Sequence, residues 1–235
     1  MKIMKTQKNG PNVCLGLDEL NLAEYPIALL TDKKTISFVK KTIEIIETGL
    51  DEKGNQVERK WVVTGTDKYG LPVSPDDEVF MCLLEITKEK TNFENRNVPI
   101  SAYEIIKRMG WREEGKSYQR VKESLARLKG VSIIAENVFW NNKSKSYSTT
   151  GFGIIDDYKI ENPKKKRPGD NSEQGSFSFF SYIAWNQRLF HSFQNGNLKY
   201  IDLTLWRSWR HSITKRLHRY LDKHFYWKNS ISLAV

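Results

Sequence analysis

The chain has 235 residues, 39% of them hydrophobic, with 38 Lys and Arg against 28 Asp and Glu, a formal net charge of +10. That is enough chain for one large domain or two small ones with a real core. The longest apolar runs fall far short of the ~18 residues of a membrane span, and Met1-Lys-Ile-Met-Lys-Thr-Gln-Lys8 lacks the apolar stretch of a secretion signal, so no membrane partner and a cytoplasmic location are expected. Two distant cysteines, Cys14 and Cys82, fit a reducing compartment.

The charge is uneven. Residues 1–100 carry 14 basic against 16 acidic residues, 101–150 carry 10 against 5, 151–185 balance at 5 each, and 186–235 carry 9 against 2. Two separate positive blocks are expected of two contacts on one polyanion.

Taken in chain order, residues 1–20 read as a flexible lead and 21–74 as a β-hairpin extension. Within it, Tyr25-Pro-Ile-Ala-Leu-Leu30 is a compact apolar patch. Thr35 to Glu47 alternates through Ile36, Phe38, Ile43 and Ile45. Asp51 to Asn55 is a turn, and Val57 to Val63 returns as the partner strand. A Gly-rich connector, Thr64 to Pro72, leads to a helix with Ser74 as its cap, Pro75 first inside, and acidic Asp76, Asp77 and Glu78 in the opening turn. Val79, Phe80, Leu83, Leu84 and Ile86 are its core face. Asn97-Val-Pro-Ile100 is a short edge strand, since Pro99 cannot donate to a ladder.

Residues 101–157 carry the most information. Ser101-Ala-Tyr-Glu104 is a capping box opening a short helix that Gly110 ends. Trp111 to Gly115 is a turn. A second helix, capped by Ser117, runs from Tyr118 to Leu128 and stops at Gly130. Two strand-like runs follow, Val131 to Trp140 and Tyr147 to Ile155, around the basic tip Asn141-Asn-Lys-Ser-Lys-Ser146. Helix, turn, helix, basic hairpin is the order of a DNA-binding winged helix, expected over 75–158.

In the second helix, Tyr118, Val121, Leu125 and Leu128 share one buried stripe. Lys116, Ser117, Gln119, Arg120, Glu123 and Arg127 are therefore the candidate DNA-facing residues, with Lys143 and Lys145 at the hairpin tip reaching phosphate. Arg and Gln can pair with base edges in the major groove, and Lys and Arg neutralise phosphate. A solvated helix followed by an ordinary hairpin carries the same charges; the agreement of charge, helix order and wing favours DNA.

A basic linker, 159–175, contains Lys164-Lys-Lys-Arg167 between two prolines, a nuclear signal, a phosphate clamp or, as is commoner for such runs, a solvated loop. From 176 a second ordered region begins: a strand at Phe179 to Trp185, a helix at Gln187 to Phe193 stopped at Asn195-Gly196, Leu198 to Leu203, and a long basic helix to Phe225. Leu205, Trp209, Ile213, Leu217, Tyr220 and Leu221 fall on one stripe of that helix, expected to be core. Ile231 to Val235 reads as a strand, and the region as an unfinished domain.

Gly110-Trp-Arg-Glu-Glu-Gly-Lys-Ser117 matches G-x-x-x-x-G-K-S, but a phosphate loop needs a strand before it, and Glu113 and Glu114 would oppose the phosphates. His191, His211, His218 and His224 have no metal-binding spacing, and no paired-tyrosine nicking motif or serine elbow stands out. No catalytic residue, metal or cofactor is expected.

The chain resembles the replication initiator protein A family of plasmid replication initiators. The likeness rests on Asn21-Leu-Ala-Glu-Tyr-Pro-Ile-Ala-Leu-Leu30, Val63-Thr-Gly-Thr-Asp-Lys-Tyr-Gly-Leu-Pro72, Ser101-Ala-Tyr-Glu-Ile-Ile-Lys107, Lys116 to Leu128, Trp185 to Lys199, and Lys215-Arg-Leu-His-Arg-Tyr-Leu-Asp-Lys-His-Phe225, in which His218 stands where Tyr is usual. The resemblance implies an α+β fold: a winged helix–turn–helix with an N-terminal β-hairpin extension and, in 176–235, the beginning of an incomplete second winged helix. It implies a non-enzymatic initiator of plasmid replication that binds double-stranded DNA at origin repeats, recruits the host replication initiator and replicative helicase, and forms homodimers. A winged-helix transcriptional repressor and a nicking or ATP-using replication enzyme are the alternatives.

Overall fold

The computed structural model describes residues 14–31, 36, 39–51, 54–161 and 181–225. The elements, in order, are β1 (Leu15–Glu19), α1 (Leu20–Glu24), β2 (Thr42–Leu50), β3 (Gln56–Thr64), α2 (Ser74–Thr91), β4 (Asn97–Ile100), α3 (Ala102–Arg108), α4 (Gly115–Gly130), β5 (Ser132–Asn141), β6 (Ser146–Phe152), β7 (Ile155–Lys159), β8 (Ser181–Trp185), α5 (Gln187–Gln194), β9 (Leu198–Asp202), α6 (Leu203–Ser208) and α7 (Ser212–Phe225). The fold is α+β with antiparallel sheets.

Helix α2 is the axis. Val79 to Leu84, Ile86 and Thr87 are buried, so the helix is enclosed on nearly every side. The Thr87 hydroxyl donates to the Leu83 carbonyl at 2.7 Å and accepts from the Trp185 indole at 2.8 Å, which locks α2 to β8. At its start the cap differs from the sequence reading. Val73 is the capping position, and the Asp76 carboxylate reaches back to the Val73 N–H at 2.8 Å. Asn92, at φ 47°, ends the helix in the left-handed conformation that Asn tolerates.

The hairpin β2–β3 forms as expected in register, Ile43 opposite Val63 and Ile45 opposite Trp61. The first strand begins at Thr42 rather than Thr35; Ile36 and Val39 have helical backbone. Of the expected turn, residues 52 and 53 lie outside the described residues. The hairpin is not an appendage. Strand β3 pairs with β5, giving one four-stranded sheet in the order β2-β3-β5-β6. A division at residue 74 therefore cuts across a sheet.

The second expected boundary also crosses a sheet. Strand β4 lies at an edge, as Pro99 requires, but pairs with β8, which lies between β4 and β7. β1 pairs with β9, joining residues 15–19 to 198–202. A single hydrophobic cluster runs from Leu17 to Trp206, so residues 181–206 complete the body begun by α2. Residues 15–19 of the expected flexible lead form the paired and largely buried strand β1, because their partner strand lies far along the chain, whereas residues 1–13, the linker with Lys164–Arg167 and the expected 231–235 strand fall outside the described residues.

The long basic helix is two helices, α6 and α7, broken at Trp209 to His211. Its apolar stripe is not core. Leu205, Trp209, Ile213 and Leu217 are exposed, Ile213 to 63%, whereas Arg219 is wholly buried. The reason is that carboxylates on α2 and β1, far away in sequence, draw the basic face inward.

Candidate nucleic-acid interface

The helix pair is built by its caps. The Ser101 hydroxyl accepts from the Glu104 N–H at 3.0 Å, starting α3. Gly110, at φ 64°, ends it, with the Trp111 N–H reaching the Ile106 carbonyl at 3.0 Å and the Gly110 N–H reaching Lys107 at 3.1 Å. That pair of bonds satisfies the last carbonyls of the helix and needs a left-handed residue, hence glycine. It also fixes where Trp111 stands.

Helix α4 begins two residues before the expected cap. Glu114 is the capping position, and Ser117 lies inside the first turn, buried, its hydroxyl donating to the Arg112 carbonyl at 2.6 Å. Ser117 thus ties down the turn and does not face outward. Val121, Leu125 and Leu128 are fully buried with Tyr118 half-buried beside them. Arg127 also turns inward: its Nε and Nη2 donate to the two Asp76 oxygens at 2.6 and 2.9 Å, and both side chains are buried. The sequence placed Arg127 opposite the stripe, but the carboxylate on α2 supplies a partner that burial requires.

Four of the sequence-derived residues come together on the open face of α4. Lys116, Gln119, Arg120 and Glu123, with Gly115, line one shallow depression of about 490 Å³. The Arg120 guanidinium lies 4.1 Å over the Trp111 ring, so a flexible cation is held against an aromatic face. Gln119 donates from Nε2 to Glu123 Oε1 at 3.2 Å. The first glycine of the phosphate-loop match follows a helix, α3, and the Ser117 hydroxyl is occupied by the turn.

Lys143 and Lys145 line no part of that depression; they are exposed at the turn between β5 and β6. Lys145 has φ 56°, its N–H bonded to the Asn141 carbonyl at 2.8 Å, and the Asn141 side chain accepts from the Lys143 N–H at 2.9 Å. The hairpin is anchored close to its tip, at Trp140, which pairs with Tyr147 beside the turn. Asn21 bonds both backbone groups of Trp140, accepting from its N–H at 2.8 Å and donating to its carbonyl at 3.2 Å, and Asn197 donates to the same carbonyl at 3.0 Å. Along the hairpin, Trp140 packs edge-on to Tyr147, and Arg59 from β3 lies 4.2 Å over the Tyr147 ring. Sequence reasoning missed Trp111, Arg59 and Tyr147. Their signal, an aromatic within reach of an arginine, is visible only once the turn and the β3–β5 pairing are known.

The second positive block behaves differently. On α7, Arg219 is held by both oxygens of Asp18, at 2.9 and 2.7 Å, and by Asp77 at 2.6 Å. Burial works against its charge, yet Asp18 and Asp77 outweigh it and keep its pKa above the usual arginine value. Lys215 pairs with Glu78 at 2.7 Å, Lys223 pairs with Glu24, and Arg207 on α6 pairs with Glu85 at 3.0 Å. Arg216 donates to the Leu22 carbonyl at 2.6 Å, and burial pushes its pKa down to about 10. Lys199 on β9 pairs with Asp222 and is likewise lowered by burial. Six of the nine cations of this block are thus engaged by carboxylates or carbonyls of the molecule, Arg207 at its surface, while Arg188 and Arg210 are exposed and Lys228 lies outside the described residues; most of the charge expected to make a second contact on a polyanion is paired within the chain.

Among the described residues, no helix is long and apolar enough to cross a membrane. The family model described as Replication initiator protein A matches residues 18–224. A protein of Wigglesworthia glossinidia brevipalpis described as "Putative replication protein" is 35% identical over 82 residues, which span 34% of this chain and 28% of that protein. In fold, the chain is similar to the crystal structure of domains 2 and 3 of RctB, with a TM-score of 0.55 over 87% of this chain and 70% of that one, at 10% identity.

Proposed function

Since the chain belongs to the replication initiator protein A family, we propose that it initiates plasmid replication as a sequence-specific, double-stranded-DNA-binding protein. We read α3, α4 and the β5–β6 hairpin as a winged helix–turn–helix in which α4 enters the major groove and the wing meets the adjacent backbone. One observation carries this reading: Lys116, Gln119 and Arg120 stand together on the open face of α4 while Val121, Leu125 and Leu128 of the same helix are fully buried. Those residue types supply phosphate neutralisation and paired hydrogen bonds to adenine and guanine.

On this reading the protein works by binding, without covalent chemistry or a cofactor, in the bacterial cytoplasm. It binds repeated origin sites as a homodimer or monomer and brings the host initiator and replicative helicase to them. The deciding experiment joins the DNA flanking the gene to a marker lacking its own origin. The plasmid is expected to replicate only when the chain, within its natural protein, is supplied, and to stop when Gln119 and Arg120 are both changed to Ala. Transcriptional silencing of that DNA without replication would favour the repressor instead. Magnesium-dependent ATP binding abolished by Lys116→Ala would favour an ATP-using enzyme.

A further inference from the structure

We infer that Gln119 is a base reader held in one orientation, and that Glu123 and Arg127 are the positioning residues that set it to recognise adenine. The inference rests on the reading that α4 lies in the major groove.

The chain of contacts starts in the core. Asp76 is wholly buried and takes the Val73 N–H on one oxygen, which fixes its plane. Arg127 is clamped on that plane by two bonds, from Nε and Nη2. Its remaining nitrogen, Nη1, stands 3.8 Å from Oε2 of Glu123, one turn earlier on α4. The other oxygen of the same carboxylate, Oε1, takes the Gln119 amide. Glu123 therefore bridges a buried cation and an exposed amide, with a different oxygen on each.

A carboxylate only accepts hydrogen bonds, so the Gln119 amide must turn an N–H toward Glu123. The carbonyl oxygen and the second N–H of the amide are left for a partner outside the helix. An acceptor and a donor side by side match the N6 amino group and N7 of adenine in the major groove. A free glutamine loses rotamer freedom when it binds and can flip its amide. A held one does neither, so the restraint favours one base over the rest.

The test is selection from a random-sequence duplex library by the full chain and by Gln119→Ala, Glu123→Ala and Glu123→Gln, with sequencing of the bound pool. The parent motif is expected to contain an adenine preferred by about tenfold. Gln119→Ala and Glu123→Ala should both lose that preference at the same position. Glu123→Gln should keep it, because its amide oxygen accepts the same N–H. Binding of Glu123→Ala to duplex lacking the motif should be unchanged or tighter, a result that general loss of structure does not give. An unaltered preference in Glu123→Ala, or a shared lost position that is not adenine, overturns the inference while leaving α4 in the groove. Loss in a folded Glu123→Gln variant overturns it too. A parent motif untouched by Gln119→Ala and Arg120→Ala together removes α4 from the groove, and the inference with it.

Discussion

Helices α4 and α7 are made of similar material, an apolar stripe and a cluster of Lys and Arg, and are mounted in opposite senses. α4 buries Val121, Leu125 and Leu128 and turns Lys116 and Gln119 outward. α7 buries Arg219 and leaves Ile213 and Leu217 exposed. The difference is in what each helix faces. α4 packs on α2 and α3 beside an apolar surface, with one buried carboxylate, Asp76. α7 packs on α1 across a surface carrying Asp18, Glu24, Asp77 and Glu78. The cations of a basic helix stay on its open face only where the body beneath it does not supply each of them with a carboxylate. Within α4, Arg127 follows the logic of α7, because Asp76 awaits it.

The comparison breaks first at the buried ion pairs. Arg219→Ala and Arg127→Ala each leave a buried carboxylate uncompensated and should lower the unfolding free energy in urea by about 3–5 kcal/mol. A triple change of Arg219→Met with Asp18→Leu and Asp77→Asn, which removes the cation and both carboxylates that hold it, should cost much less. Losses below about 1 kcal/mol in the single variants would rank these pairs with surface ones.

Arg120→Ala should show the reverse pattern. DNA affinity falls by about 1–3 kcal/mol as a base contact is lost. Stability changes by less than about 1 kcal/mol, since the contact with Trp111 is partly solvated. A stability loss larger than the affinity loss would put Arg120 in the same class as Arg127.

The smallest effect sharpens the contrast between wing and α7. Changing Lys143 and Lys145 to Ala should flatten the slope of log affinity against log salt by about two units. Changing Lys215 and Lys223 to Ala should leave that slope as it is, because Glu78 and Glu24 hold them. Equal slopes for all three proteins would take the wing off the backbone.

What was legible in the sequence was local. The Ser101 cap, the Gly110 stop, the hairpin expected of Thr35–Glu47 with Val57–Val63 and the edge strand at Pro99 each depend on neighbours within a few residues, and each formed, the hairpin with its first strand starting only at Thr42. The apolar stripes of α4 and α7 were legible too, but periodicity says only that a helix has two faces. It does not say which face meets the body. For Arg127 that depended on Asp76, 51 positions away, and for Arg219 on Asp18, 201 positions away. The same distance hid the sheets, since β5 finds β3 and β8 finds β4 across intervening helices. In the candidate site, residue types were readable and postures were not: the Trp111–Arg120 stack and the Glu123 bridge depend on the turn and on the core.

The pairing of β1 with β9 has a consequence for synthesis. Leu17 lies opposite Tyr200, so the first strand has no partner until some 183 further residues have been made. At about 5–20 residues per second, that is roughly 10–40 s of waiting on the ribosome. Helix α4 and its hairpin are complete well before then, so the nascent chain carries the elements proposed to meet DNA while Leu15 to Glu19 still lack their partner strand. That interval is when a chaperone would act on this protein, and slowing translation after residue 160 would lengthen it.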